Sequence, residues 1–160
     1  MRRIIFLVKL CKEEKLKIIE PTDQVKESYI QKSKSSIRSA NILIENEQLE
    51  DATAMTYYSM YNMLIALLYK AGIKCENHAA AIIILKELFK FDNSSISFAK
   101  TERVDKQYYI DFKISKEDVK DLIKKAEEFN AMLYGFIDSL TKKQIVEYRE
   151  ELSKALVDKR

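Results

Sequence analysis

Two glycines and one proline are all that 160 residues contain of the two residue types that most readily bend a chain. Tight hairpins call on glycine at positive backbone angles, so a sandwich or barrel of many short strands is excluded by its own turn chemistry. Tryptophan is absent and histidine occurs once, at His78. Cysteine occurs twice, at Cys11 and Cys75, far apart and without a C-x-x-C spacing. With a single histidine this is no ligand set for zinc, and neither a metal nor a cofactor is expected. Two such thiols suit reduced, partly buried side chains in an intracellular protein.

Long hydrophobic runs are also missing. The apolar stretch Ile4–Val8 is shorter than the core of a signal peptide, and Lys9 closes it without a small-residue cleavage site, so it is expected not to be a secretion signal. Met55–Ile73 has the length of a membrane span. It carries Tyr57, Tyr58, Tyr61, Asn62, Tyr69 and Lys70, however, and reads better as a buried central helix. A soluble cytoplasmic protein without a membrane partner is the expectation.

Lys, Glu, Leu, Ile and Ala dominate what is present, and they favour helix. The hydrophobic share of 47% with 33% charged residues is that of an ordinary globular domain rather than a disordered chain. A formal net charge of +3 does not by itself announce a nucleic-acid partner. Both ends are mildly basic: residues 1–20 hold six Lys/Arg against three Glu, and residues 141–160 hold six against four acids.

The spacing divides the chain into a basic N-terminal arm over residues 1–22, a helical bundle over 23–140 and a C-terminal helix over 141–160 that extends the bundle. Pro21 ends the arm, and Thr22 or Asp23 can cap a first helix running to about Glu47. A second, apolar on nearly every side, runs from about Leu49 to Ala71, where Gly72 is placed to terminate it. Asn77 can cap a third through HAAAIIILKELFKF. Ser115 with Asp118 forms an acidic capping box for a fourth, and Thr141 with Gln144 a second box for the last. Together they predict an all-α fold, an antiparallel up-and-down bundle of four to five helices. About 23 residues between Phe91 and Ser115 read as one long connection, and loops of that length are often functional.

Chemistry concentrates in three places. Tyr57, Tyr58, Tyr61 and Asn62 share adjoining strips of the central helix, either as the polar rim of a core and a dimer contact or as a polar, base-stacking surface. His78 falls in the first turn of the third helix, where the positive helix end favours a neutral ring; structural and general-base roles both fit. Arg103 and Lys106 beside Tyr108 and Tyr109 combine cations with stacking groups, as single-stranded RNA or a nucleotide requires, although Glu102 and Asp105 make a surface ion-pair cluster an equal reading. A serine-hydrolase elbow, a glycine-rich phosphate loop and a metalloprotease helix are absent.

The segment YYSMYNMLIALLYKAGIKCENH, followed downstream by ERVDKQYYIDF and KEDVKDLIKKAEEF, resembles the HEPN domains (higher eukaryote and prokaryote nucleotide-binding). Tyr57, Tyr58, Met60 and Tyr61 match the opening of the signature, Ala66, Leu67 and Leu68 its end, and Gly72 and His78 its tail. The resemblance covers about residues 24–140. It implies a bundle of four or five helices that forms a homodimer, binds RNA or nucleotide, and acts as the toxin-like half of a toxin–antitoxin pair with a minimal nucleotidyltransferase. It also implies a metal-independent endoribonuclease in which His78 would be catalytic. Active members pair an arginine with a histidine four to six residues on. Here Ile65 and Asn62 stand at the helix positions that hold arginine and histidine in many members, and the basic residue nearest before His78 is Lys74. A non-catalytic dimerisation or partner module is the alternative that this departure favours. Tyr57, Tyr58, Tyr61, Asn62, Lys74, Arg103, Lys106, Tyr108 and Tyr109 are the candidate ligand-binding residues, and Tyr108 and Tyr109 the places to look for tyrosine modification.

Overall fold

The computed structural model describes residues 2–108 and 113–157, the side chains of 105–108 excepted. Helix α1 (Arg2–Lys12) leads into strand β1 (Leu16–Ile18), and the long helices α2 (Asp23–Glu45) and α3 (Leu49–Lys70) follow. Strand β2 (Ile73–Cys75), α4 (His78–Glu87), α5 (Ser94–Tyr108), α6 (Lys116–Ser139) and α7 (Lys142–Val157) complete the order. The fold is mainly helical, as expected, with a single two-stranded ribbon among the described residues.

The centre is α3. Met60, Leu64, Leu67 and Leu68 are fully buried, and each such side chain is worth about 1.5–3 kcal/mol against exposure. Neighbours surround it: α2 most extensively, then α6, α5 and α4. That enclosure is why α3 shows no apolar stripe of its own. By contrast α6 buries Val119, Leu122, Ile123, Ala126, Phe129, Leu133 and Ile137, one face at helical steps.

Helix ends follow the local sequence. The Asn77 side chain accepts from the Ala80 N–H at 2.9 Å. Ser115 and Asp118 make a reciprocal capping box, and Thr141 and Gln144 do the same at 3.0 and 3.2 Å. Thr22 sits at the cap position of α2 without a side-chain cap bond; its hydroxyl donates to the Glu20 carbonyl instead.

Two regions differ from the sequence expectation. Residues 92–114, read as a long connection, contain the fifteen-residue helix α5. Its apolar signal is thin, since Ile96 and Ala99 are the buried positions of its inner stripe, so periodicity alone did not reveal it. The N-terminal arm, left without assigned structure, forms α1 and β1. Leu7, Val8 and Leu10 of α1 join the same core as Leu152 and Leu156 of α7.

Strand β1 pairs antiparallel with β2 in the register Leu16↔Cys75, Lys17↔Lys74, Ile18↔Ile73. The residues between Gly72 and Asn77, assigned no element from the sequence, therefore include a strand. Gly72 itself lies at φ +73, and a Cβ there would meet the Ile19 carbonyl oxygen at 2.6 Å. Only glycine fits this turn, and the turn sets where β2 delivers the chain to α4. Among the described residues no helix is long and apolar enough to cross a membrane.

Candidate functional site

Three turns of chain fix the position of His78. Gly72 reverses direction, β2 runs along β1, and Asn77 caps α4 so that His78 becomes its first residue. There the imidazole meets α3. The Tyr57 hydroxyl and His78 Nδ1 lie 2.8 Å apart. The Tyr61 ring stacks on the imidazole, with centroids 3.8 Å apart and planes 19° from parallel. Tyr57 is completely buried, whereas Tyr58 and Tyr61 are half-buried.

Arg103 arrives from α5. Ile96, Ala99 and Arg103 follow at steps of three and four, so the stripe that packs α5 against α3 carries the arginine with it. Its Nη1 donates to the Tyr58 hydroxyl at 2.9 Å. The guanidinium carbon stands 5.1 Å from the Tyr57 ring centre and 5.5 Å from that of Tyr58, within cation–π range. Its Nε is buried without a hydrogen-bond partner, and no carboxylate pairs with Arg103 among the described residues.

Burial biases His78, Tyr57 and Tyr61 toward their uncharged forms. Burial lowers the His78 pKa below the ordinary imidazole value, and the charges of Arg103 and Lys100 lower it further. The positive end of α4 acts in the same direction. Burial pushes Tyr57 up to about 12, with Arg103 pulling the other way, and burial also raises Tyr61. The result is a neutral imidazole and two protonated phenols around a guanidinium.

Of the residues singled out from sequence, Tyr57, Tyr58, Tyr61, His78 and Arg103 come together. Asn62 is half-buried on the next turn and makes no side-chain hydrogen bond among the described residues. Lys74 turns outward from β2, pairs with Glu76 at 2.9 Å and faces Tyr69 and Tyr29 rather than Arg103. Lys106 and Tyr108 fall on α5, but their side chains lie outside the described residues, as does all of Tyr109. Lys100 was missed. Its signal is the three-residue step to Arg103, visible only once residues 94–108 are known to be helical.

His78, Tyr58, Tyr61 and Arg103 are each partly exposed around the buried Tyr57. Depressions of about 270 and 250 Å³ lie elsewhere, lined by Val8, Ile18 and Leu156 and by Ile4, Ile83 and Leu152 respectively. Among the described residues no three His, Cys, Asp or Glu side chains are grouped as metal ligands would be. Chemically the face offers cations, aromatic rings and hydrogen-bond donors, a set suited to an anion attached to a flat ring.

The class is thus a helical bundle with a cationic, aromatic face at the junction of its central helix with α4 and α5. A family model of the HEPN domain matches residues 26–136, and the chain belongs to the HEPN family. The match runs from α2 into α6 and contains the whole Tyr57–His78–Arg103 cluster; α1, β1 and α7 fall outside it. No curated protein matches the chain.

Proposed function

We propose that this HEPN protein binds RNA or a nucleotide at the Tyr58–His78–Arg103 face. Arg103 carries the reading. Among the described residues it pairs with no carboxylate and is held by a hydroxyl and two rings. Its charge is left for a phosphate, and the half-buried Tyr58 and Tyr61 provide rings against which a base can stack.

Binding of a short single-stranded oligoribonucleotide by wild type and Arg103→Ala tests this. Loss of one charge-assisted contact is expected to weaken binding about tenfold or more and to flatten its salt dependence. Equal affinities at every salt concentration would refute it.

Cleavage is a second reading, favoured by the neutral imidazole kept near a guanidinium. Comparing wild type with His78→Ala on total and transfer RNA, with EDTA present, decides it: cleavage that the variant loses supports a metal-independent ribonuclease. Following the resemblance, we further propose that the chain forms a homodimer and is the toxin-like partner of a minimal nucleotidyltransferase. Mass in solution, alone and after co-expression with such a partner, tests that assembly.

A further inference from the structure

A buried phenol has to donate its proton somewhere, and here there is one place for it. Tyr57 has no solvent exposure, and His78 Nδ1 is its hydroxyl's only hydrogen-bond partner among the described residues. Two arrangements fit a 2.8 Å contact. If Nδ1–H donated to the phenolic oxygen, the phenol's own O–H would be left buried without an acceptor, at a cost of about 1–3 kcal/mol. If the phenol donates to Nδ1, both groups are satisfied. A neutral imidazole carries one N–H, so the proton then sits on Nε2. Burial keeps the phenol protonated, which leaves it able to donate throughout the working pH range.

Nε2 lies on the other side of the ring. It has no partner among the described residues and is not one of the buried, unpartnered nitrogens, so it remains open to a ligand. Stacking on Tyr61 fixes the ring plane, and the contact with the Tyr57 hydroxyl fixes which edge carries Nδ1.

We propose that Tyr57 is a positioning residue that holds neutral His78 in the Nε2–H form, so that the imidazole donates a hydrogen bond to a phosphate oxygen of the bound RNA or nucleotide while Arg103 supplies the charge. This rests on the binding reading above. In the cleavage reading it makes His78 a hydrogen-bond donor to the phosphate rather than a general base, since Nδ1 is occupied and Nε2 already bears a proton.

Because His78 is the only histidine, the imidazole nitrogens of ¹⁵N-labelled protein give a spectrum with a single ring to assign. In the free protein at neutral pH, Nδ1 is expected at the position of an unprotonated nitrogen and Nε2 at that of a protonated one. In Tyr57→Phe, which removes one oxygen and keeps the ring, both signals should move toward the averaged positions of exchanging forms. A protonated Nδ1 in wild type, or signals unmoved in the variant, would overturn the assignment. The second measurement is oligoribonucleotide affinity, expected to fall about two- to tenfold in Tyr57→Phe. An unchanged affinity alongside the expected spectra would refute the role in ligand binding. Failure of wild type to bind any RNA or nucleotide would sink the binding reading, while the tautomer is judged separately from the spectra of the free protein.

Discussion

Positions 57–59 of α3 start two polar clusters that differ in one respect. Ser59 points toward α2 and α6. Its hydroxyl donates to the Ser33 carbonyl at 2.9 Å, Ser33 returns the bond to the Ser59 carbonyl at 2.7 Å, and Asn130 donates to the Ser59 hydroxyl at 2.8 Å. Ser33 and Ser59 are sealed from solvent and satisfy each other, nothing in the cluster titrates, and the atom left unused, Asn130 Oδ1, is itself buried. Tyr57 and Tyr58 turn to α4 and α5, where a neutral imidazole and a guanidinium keep bonding capacity unused. Polarity on a buried helix therefore does not mark a site. Short side chains that close on each other let two helices approach, whereas long ones that end with donors to spare are left for a partner.

Breaking the closed cluster is expected to have the largest effect, and on the fold alone. Ser59→Leu forces a branched side chain between α2 and α3 and removes the two bonds of the Ser59 hydroxyl, which should cost about 3 kcal/mol in urea unfolding. RNA affinity per folded molecule should not change; a parallel fall would mean the two clusters act as one. Arg103→Ala reverses the pattern. It should weaken RNA binding about tenfold or more and alter stability by less than about 1 kcal/mol. Ser33→Ala sharpens the contrast at smaller scale, removing one buried hydrogen bond for about 1 kcal/mol with binding untouched.

Sequence carried the helices whose apolar spacing or caps are local. The α6 stripe and the boxes at Ser115 and Thr141 needed nothing beyond a few neighbouring residues. It could not carry the β1–β2 pairing, because Leu16 and Cys75 meet only after α2 and α3 have folded between them. Nor could it show that α5 is a helix, with two small or medium apolar residues on its inner face and a low-propensity start. That omission hid the geometry of the site. Arg103 was noticed for its charge, but its place above Tyr57 and Tyr58 follows from α5 packing on α3. Ser33, Ser59 and Asn130 gave no warning, since serines in helices are unremarkable until two face each other.

The smallest expected effect is also the one that separates the clusters by chemistry. His78 is buried toward neutrality, so its folded pKa lies below the ordinary value of about 6.5. The unfolded chain then binds more protons as the solution is acidified, and stability falls with pH through the unfolded pKa until the folded form also protonates. The difference between wild type and a His78 variant isolates the imidazole. There is no second histidine, and the carboxylates held below their usual range, Glu13, Asp23, Glu27, Glu76 and Asp92, whose own loss of stability begins at the acid end, contribute equally to wild type and a His78 variant. Between about pH 7.5 and 5, wild type should lose urea stability relative to His78→Gln, which has no imidazole to charge. Ser33→Ala should track wild type across the same range, because a sealed pair of serines has no protonation state to change. A gap between wild type and His78→Gln that stays constant with pH would mean the imidazolium is as welcome in the fold as in water, and that the open cluster tolerates a third positive charge beside Arg103 and Lys100.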